Sequence, residues 1–315
     1  MKIVLLESLA ISQEALAQHA KKLTDEEHEF VSYNDRGTVA EQQTRVKDAD
    51  ILMIANMPLP KEVICASDNL KFIDVAFTGV DHVDLEAAKA KNIAVSNASG
   101  YANQSVAELV LGMMLCLLRN VMQVDNCCRN EKTKDGLVGC ELRGKTVGVI
   151  GTGAIGLRTA ELCHLMGCNI VAYDPYPNKN APDYITYLTL DELLKTADIV
   201  TLHCPLIDET RLLMNGDRIR TMKKGSYLIN AARGAVVDSA ALADALNSGH
   251  LAGAGIDVFE TEPPINSDHV LLHAKNTILT PHIAFASKES MELRADIVFN
   301  NIQKWLSNSQ INKIL

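Results

Sequence analysis

The hexapeptide Gly151-Thr-Gly153-Ala-Ile-Gly156 constrains this chain more than any other feature. It stands directly between the apolar run Lys145-Thr-Val-Gly-Val-Ile150 and a helical stretch that ends near Met166-Gly167. Each glycine answers a steric need: Gly151 permits the tight turn, Gly153 lets the backbone approach a pyrophosphate, and Gly156 lets helix and strand pack closely. A pyrophosphate held this way lies at a helix N-terminus, where N–H groups and the dipole favour negative charge. After the next strand, Ile170-Val-Ala-Tyr173, stands Asp174. A carboxylate at that place accepts hydrogen bonds from the adenosine ribose and repels a 2′-phosphate. Pro175 and Tyr176 bring no guanidinium to reverse the preference, so the expected cofactor is NAD(H) rather than its phosphorylated relative.

Apolar runs rich in Val and Ile alternate with amphipathic stretches along the whole chain, the pattern of parallel sheets covered by helices. The first hundred residues hold five such runs, at Lys2–Leu6, Glu29–Tyr33, Ile51–Ala55, Phe72–Ala76 and Ile93–Ser96. They predict a flavodoxin-like domain. Six more follow, at Thr146–Ile150, Asn169–Tyr173, Ile199–His203, Tyr227–Asn230, Ala252–Phe259 and Thr277–Leu279, the number a complete Rossmann dinucleotide fold needs. Ser99 to Val121 reads as one long helix, apolar on most sides and therefore covered. Ser287 to Ser307, which carries the only tryptophan, reads as a packing helix that folds back on the first domain. The expected fold class is α/β, with two doubly wound parallel sheets.

The 39 acidic and 30 basic side chains give a net charge of −9, which disfavours nucleic acid and anionic membrane partners. The longest apolar run, Leu109 to Leu118, is about half of a bilayer span, and the N-terminal apolar stretch is too short for a signal-peptide core. The eight cysteines include no CxxC and no zinc-type cluster, so reduced thiols, no metal and a cytoplasmic location are expected.

Ligands of a doubly wound sheet bind beyond the carboxyl ends of its strands. Three of those ends carry reactive groups: Asn230-Ala-Ala-Arg233-Gly234, Glu260-Thr-Glu262-Pro-Pro264, and Pro281-His282. Arg233 is a charged planar fork suited to a substrate carboxylate or its adjacent carbonyl. His282 can exchange a proton near neutral pH. Glu262, bonded to the other ring nitrogen, would fix the tautomer and favour imidazolium. The chemistry such a trio suits beside a nicotinamide cofactor is hydride transfer at a 2-keto acid.

The glycine loop, His203-Cys204-Pro205-Leu206, Met222-Lys-Lys-Gly225, Ile229-Asn-Ala231-Ala-Arg233-Gly234, Gly255-Ile-Asp257, Glu262-Pro263 and Thr280-Pro-His282-Ile283 resemble, in order and spacing, the D-isomer-specific 2-hydroxyacid dehydrogenases. Phe77-Thr78-Gly79-Val-Asp81 and Ser105-Val-Ala-Glu108 resemble the same family, so the likeness spans nearly the whole chain. The resemblance implies that Arg233, Glu262 and His282 are catalytic and that Thr78 and Gly79 meet the substrate carboxylate through backbone N–H groups. It also implies cofactor contacts at Thr78, Ile155, Asp174, Cys204, Pro205, Ala231, Arg233, Asp257 and His282, besides the three loop glycines. The implied layout is a dinucleotide domain, residues 99–286, inserted into a substrate domain of residues 1–98 and 287–315. A homodimer built on the Ala102–Arg119 helix and an active site in the cleft between domains belong to the same expectation.

Asn97-Ala-Ser-Gly-Tyr101 and Pro281-His-Ile-Ala-Phe285 look closest to the glycerate dehydrogenase and hydroxypyruvate reductase branch, where Phe285 stands in place of a usual Trp. Candidate pocket walls are Asn56, Met57, Phe77 and Phe285, a set that also fits a lactate-like or branched-chain keto acid. No basic cluster is reserved for a substrate phosphate, so a small unphosphorylated acid such as hydroxypyruvate or glyoxylate is expected. A corepressor-like NAD sensor, which shares the scaffold, is the non-enzymatic alternative. Glu262, where formate dehydrogenases resemble a Gln pattern, weighs against formate oxidation; no single residue excludes phosphite.

Overall fold

Every pairing between named strands runs parallel, as strands buried on both faces and joined by helical crossovers must. The computed structural model describes residues 1–261 and 263–315, so Glu262 lies outside the described residues. The chain separates into two compact units, one of Met1–Ala102 with Ala286–Leu315, the other Asn103–Phe285.

In the first unit β1 (Lys2–Leu5), β2 (Glu29–Ser32), β3 (Ile51–Ile54), β4 (Phe72–Val75) and β5 (Ala94–Asn97) form a sheet of order β2-β1-β3-β4-β5. That is the flavodoxin order, whose reversal of direction beside β1 opens a crevice at the carboxyl ends. β3 and β4 are buried at every residue, and each apolar side chain taken from water contributes about 1.5–3 kcal/mol. The helix Lys288–Leu306 packs here, with Trp305 stacked on Phe72 at a centroid distance of 5.0 Å. Beyond it the chain runs antiparallel along β5, through a bridge between Ser96 and Lys313.

The second unit holds β6 (Thr146–Ile150), β7 (Asn169–Tyr173), β8 (Ile185–Tyr187), β9 (Ile199–Leu202), β10 (Tyr227–Asn230), β11 (Gly253–Ile256) and β12 (Thr277–Leu279). Their order, β12-β11-β10-β9-β6-β7-β8, is the doubly wound dinucleotide arrangement with one extra strand. The sequence pattern shows six strands and misses β8. That strand has three residues at the sheet edge, only Ile185 of them buried, so it leaves no apolar run to detect.

The long helix ends close to where the sequence reading ends it, and a further helix that the sequence pattern misses comes after it. Asn103–Leu118 is followed by a second helix, Val121–Arg129, inclined by 61°. Asn120 adopts a left-handed conformation at φ 52°, which Asn tolerates better than most residues. The returning strand of chain then closes the helix end: Cys140 N donates to Leu118 O at 2.8 Å. Gly139 is required there, since a Cβ would lie 2.5 Å from that same carbonyl oxygen. The first helix buries Val106, Val110, Met113, Met114 and Leu117, with Met113 against Gly255 of β11. No single helix among the described residues is long and apolar enough to cross a membrane, and all eight cysteines are free thiols.

Candidate active site

The turn after β6 has the geometry its glycines foretell. Gly151 sits at φ +93°, and a Cβ there would lie 2.7 Å from Cys204 N; at Gly156 a Cβ would lie 2.0 Å from Gly151 O. Gly153 is different. Its φ is an ordinary −69°, yet a Cβ would meet nothing within 4 Å, so the missing side chain leaves open space rather than relieving a clash. Gly153 is also the N-cap of the helix Ala154–Leu165 and offers no capping side chain. The first-turn N–H groups of the helix, that of Ile155 included, therefore border this space without a side-chain acceptor. Open volume against a helix N-terminus fits a pyrophosphate.

Asp174 directly follows β7 and ties the loop together. Its Oδ2 accepts from Thr152 N at 2.7 Å and from Thr152 Oγ1 at 3.0 Å, and its Oδ1 accepts from Tyr176 N at 2.9 Å. Tyr187 of β8 donates its hydroxyl to Thr152 Oγ1 at 3.0 Å, so the strand absent from the sequence pattern helps to anchor the glycine turn. A carboxylate has about four acceptor sites, which leaves Asp174 capacity for a ribose hydroxyl.

After β9, the backbone of His203 and Cys204 lies against Gly151. Desolvation pushes the His203 imidazole down to about 4, so it is neutral, with Nε2 2.9 Å from Thr201 Oγ1. Burial pushes the Cys204 thiol up to about 11. Neither group exchanges protons near pH 7, and both act here as wall. Pro205 O accepts from Thr210 Oγ1 at 2.7 Å, which holds the following loop.

Arg233 follows β10. Buried Asn230 shapes its turn, accepting from Ala232 N at 3.1 Å and donating through Nδ2 to Arg233 O at 2.9 Å. A Cβ on Gly234 would fall 1.9 Å from the carbonyl carbon of Phe259. Only glycine lets this backbone touch the segment after β11, which places Ala231 and Arg233 beside residues 257–260.

The turn that carries His282 is built on one buried acid. Asp257, fully inaccessible to solvent, accepts from Thr280 Oγ1 at 2.5 Å and Ile283 N at 2.9 Å through Oδ1, and from Ala284 N at 2.9 Å through Oδ2. Its carbonyl accepts from His282 N at 2.7 Å. His282 sits at φ +55°, a conformation that costs an L-residue energy and persists only when its surroundings impose it. Asp257 imposes it. The imidazole meets Phe285 edge-on, with ring centroids 5.5 Å apart, and Ser105 Oγ donates to Phe285 O at 3.3 Å.

Glu260, flagged together with Glu262, is engaged elsewhere. Its Oε2 lies 2.9 Å from His269 Nε2. Burial opposes its ionisation, but hydrogen bonds from Ser239 and His269 bring the carboxyl below its ordinary range.

In the first unit the remaining candidates lie at the carboxyl ends of adjacent β3 and β4. Asn97 Nδ2 donates to Thr78 O at 2.7 Å, and Ala98 N donates to Phe77 O at 3.0 Å, which fixes the loop that continues through Gly79. Thr78 Oγ1 is buried with no hydrogen-bond partner, a hydroxyl left for something the loop binds. Asn56 is half-buried, whereas Met57 and Phe77 are almost wholly enclosed, at 1% and 5% exposure. Sequence reasoning missed Glu7, whose buried Oε1 accepts from Ala55 N at 2.7 Å and Met57 N at 2.9 Å. It also missed buried Arg294, which donates through Nη2 to Leu9 O at 2.6 Å.

Residues 111–284 match the family model for the D-isomer specific 2-hydroxyacid dehydrogenase, NAD binding domain. Among curated proteins the chain is 38% identical to a hydroxypyruvate reductase of Blautia hydrogenotrophica, over 86% of each chain. It is 35% identical to a glycerate dehydrogenase of Methylorubrum extorquens, over 91% of this chain and 92% of that one. Among solved structures, an NAD-dependent formate dehydrogenase of Staphylococcus aureus in complex with NAD superposes with a TM-score of 0.88 at 31% identity, covering 100% of this chain and 99% of that one.

Proposed function

This chain belongs to the D-isomer-specific 2-hydroxyacid dehydrogenase family, an NAD-dependent group of oxidoreductases, and on that premise we propose that it reduces a small unphosphorylated 2-keto acid, hydroxypyruvate or glyoxylate. The observation that carries the reading is the Asp257-organised turn, which fixes His282 at the end of β12 beside the Arg233 turn at the end of β10, with β11 between them. An imidazole and a guanidinium then both follow the carboxyl ends of strands in the sheet whose β6 leads into the open helix N-terminus, which supports the reading. The names of the two curated relatives above support the choice of substrate.

When bound, NADH supplies the hydride that reaches the keto carbon. Gly151, Gly153, Gly156 and Ile155 would hold its pyrophosphate at the helix N-terminus, Asp174 its ribose, and Cys204, Pro205 and Ala231 the flanking wall. His282 would give a proton to the carbonyl oxygen and take it back in the reverse reaction. Glu262, which lies outside the described residues, would orient the ring. Arg233 would hold the carboxylate and polarise the carbonyl. The first unit would serve as the substrate domain, its Thr78–Gly79 backbone N–H groups meeting the carboxylate. Three exposed apolar side chains of the second unit, Val121, Met122 and Val138, support a homodimer.

The test follows NADH absorbance with hydroxypyruvate, glyoxylate, pyruvate and 2-ketoisocaproate at matched concentrations. The expected result is the highest kcat/KM for hydroxypyruvate or glyoxylate. Preference for 2-ketoisocaproate or pyruvate moves the protein to the branched-chain or lactate group, and no turnover of any acid supports an NAD-sensing role instead.

A further inference from the structure

Arg36 makes two contacts that together set how the candidate substrate loop after β3 presents its polar side chain. Its Nη2 donates to Asn56 Oδ1 at 3.0 Å, and its Nε lies 3.5 Å from Glu7 Oε2. Glu7 is in turn the anchor of that loop, since its other oxygen accepts from the backbone of Ala55 and Met57 on either side of Asn56. The Arg36 backbone is itself held, its carbonyl accepting from Gln42 Nε2 at 3.2 Å. Behind Glu7, the buried Arg294 guanidinium supplies a second positive charge, fastened by its bonds to Leu9 O and to the Tyr101 side chain. Glu7 is therefore compensated from two sides, and only the partner on the exposed side, Arg36, also touches Asn56.

An Asn amide has one acceptor end and one donor end. Because Arg36 takes the acceptor end, Asn56 is left with its N–H2 to offer a ligand. We propose that Arg36 is a specificity-determining residue: by fixing the amide of Asn56 donor-outward it selects 2-keto acids that carry an oxygen at C3. Hydroxypyruvate has that oxygen and pyruvate does not. The inference rests on the reading of residues 56–57 and 77–79 as the substrate loop, and it deepens that reading by naming what the loop recognises. Discrimination of this kind is strong where a site is built to bond a hydroxyl, because the analogue lacking it leaves the donor unpaired.

The experiment measures kcat and KM for hydroxypyruvate and pyruvate on the wild-type protein and on Arg36→Met, Arg36→Lys and Asn56→Leu. Arg36 is half-exposed, so its variants are expected to fold, and melting temperatures verify it. The expected result is a fall of about tenfold in the hydroxypyruvate-to-pyruvate ratio for Arg36→Met, carried by KM, the size of one lost hydrogen bond. Asn56→Leu loses the ratio at least as far. Arg36→Lys keeps the charge beside Glu7 but not the two-pronged donor, and loses it too. A wild-type preference for hydroxypyruvate that survives Arg36→Met or Asn56→Leu overturns the inference and leaves the proposed function standing; full rescue by Lys assigns the effect to charge and also overturns it. A wild-type protein that prefers pyruvate overturns both.

Discussion

Replacing Asp257 by Asn keeps the shape of the side chain and removes one of its two acceptors. In the native turn both oxygens are used, Oδ1 by Thr280 and Ile283 and Oδ2 by Ala284. Whichever way the Asn amide turns, its N–H2 faces a donor, so at least one buried N–H is left without an acceptor, which costs about 1–3 kcal/mol. The loss also frees the turn to relax the left-handed backbone at His282, and release of that strain offsets part of the cost. The net destabilisation is then at most about 1–3 kcal/mol, and at roughly 2–4 °C per kcal/mol for a domain of this size the melting temperature falls by no more than about 12 °C. Turnover falls further than stability, because a displacement of the reacting group by about 1 Å is enough for roughly 100-fold. Differential scanning calorimetry gives the first number and NADH consumption with a 2-keto acid, at a temperature where the variant is folded, gives the second. A variant that turns over within about threefold of wild type refutes the assignment of Asp257 as the residue that holds His282 in place.

The two glycines of the dinucleotide turn should separate. Gly156→Ala drives a Cβ into Gly151 O and is expected to lower both the melting temperature and NADH affinity. Gly153→Ala places its Cβ in open space and should leave the melting temperature unchanged while weakening NADH binding, measured by fluorescence titration, about tenfold or more, the cost of displacing a phosphate from its N–H donors. Asp174→Ala is expected to relax the preference for NADH over NADPH, and an unchanged ratio of the two affinities counts against its ribose role. Asp74 of β4 predicts a pH effect of opposite sign to that of an ion-paired carboxylate. Burial raises its folded-state pKa well above the usual range, only partly offset by a hydrogen bond from Asn301, so the folded chain holds a proton that the unfolded chain releases above about pH 4. Stability is therefore lost as pH rises from there through the folded pKa. Asp74→Asn, which mimics the neutral form, should be the more stable protein at pH 8 in urea titrations, with the advantage disappearing toward pH 4; equal stability at both pH values contradicts this.

The sheets were legible wherever a strand is buried on both faces. Ile51–Ile54 is a continuous apolar run and Ile199–Leu202 is apolar but for Thr201 because helices cover them, whereas Ile185–Tyr187 buries one residue and carries no such mark. The glycine turn was legible for a similar reason, since Gly151 and Gly156 each meet a separate local steric demand, while Gly153 leaves open space. What the sequence did not disclose is how the reactive groups are held. That Asp257 accepts three hydrogen bonds from the His282 turn was not legible, and a positive φ at a histidine has no signature in composition or spacing. Glu7, Arg36, Asn56 and Arg294 come from four separate segments of the chain, joined only when β1 pairs with β2 and β3 and the helix Lys288–Leu306 docks Arg294 on Leu9. The helix Val121–Arg129 was hidden because it buries none of its residues and so leaves no apolar stripe to read.

The central claim, that His282 is the acid of a 2-keto acid reduction, is tested most directly by His282→Ala, with single-turnover NADH oxidation by hydroxypyruvate and NADH binding measured on the same preparation. The account predicts turnover lower by about 100-fold or more, the scale of a lost general acid, with NADH affinity nearly unchanged. Turnover close to that of the wild-type protein would contradict it.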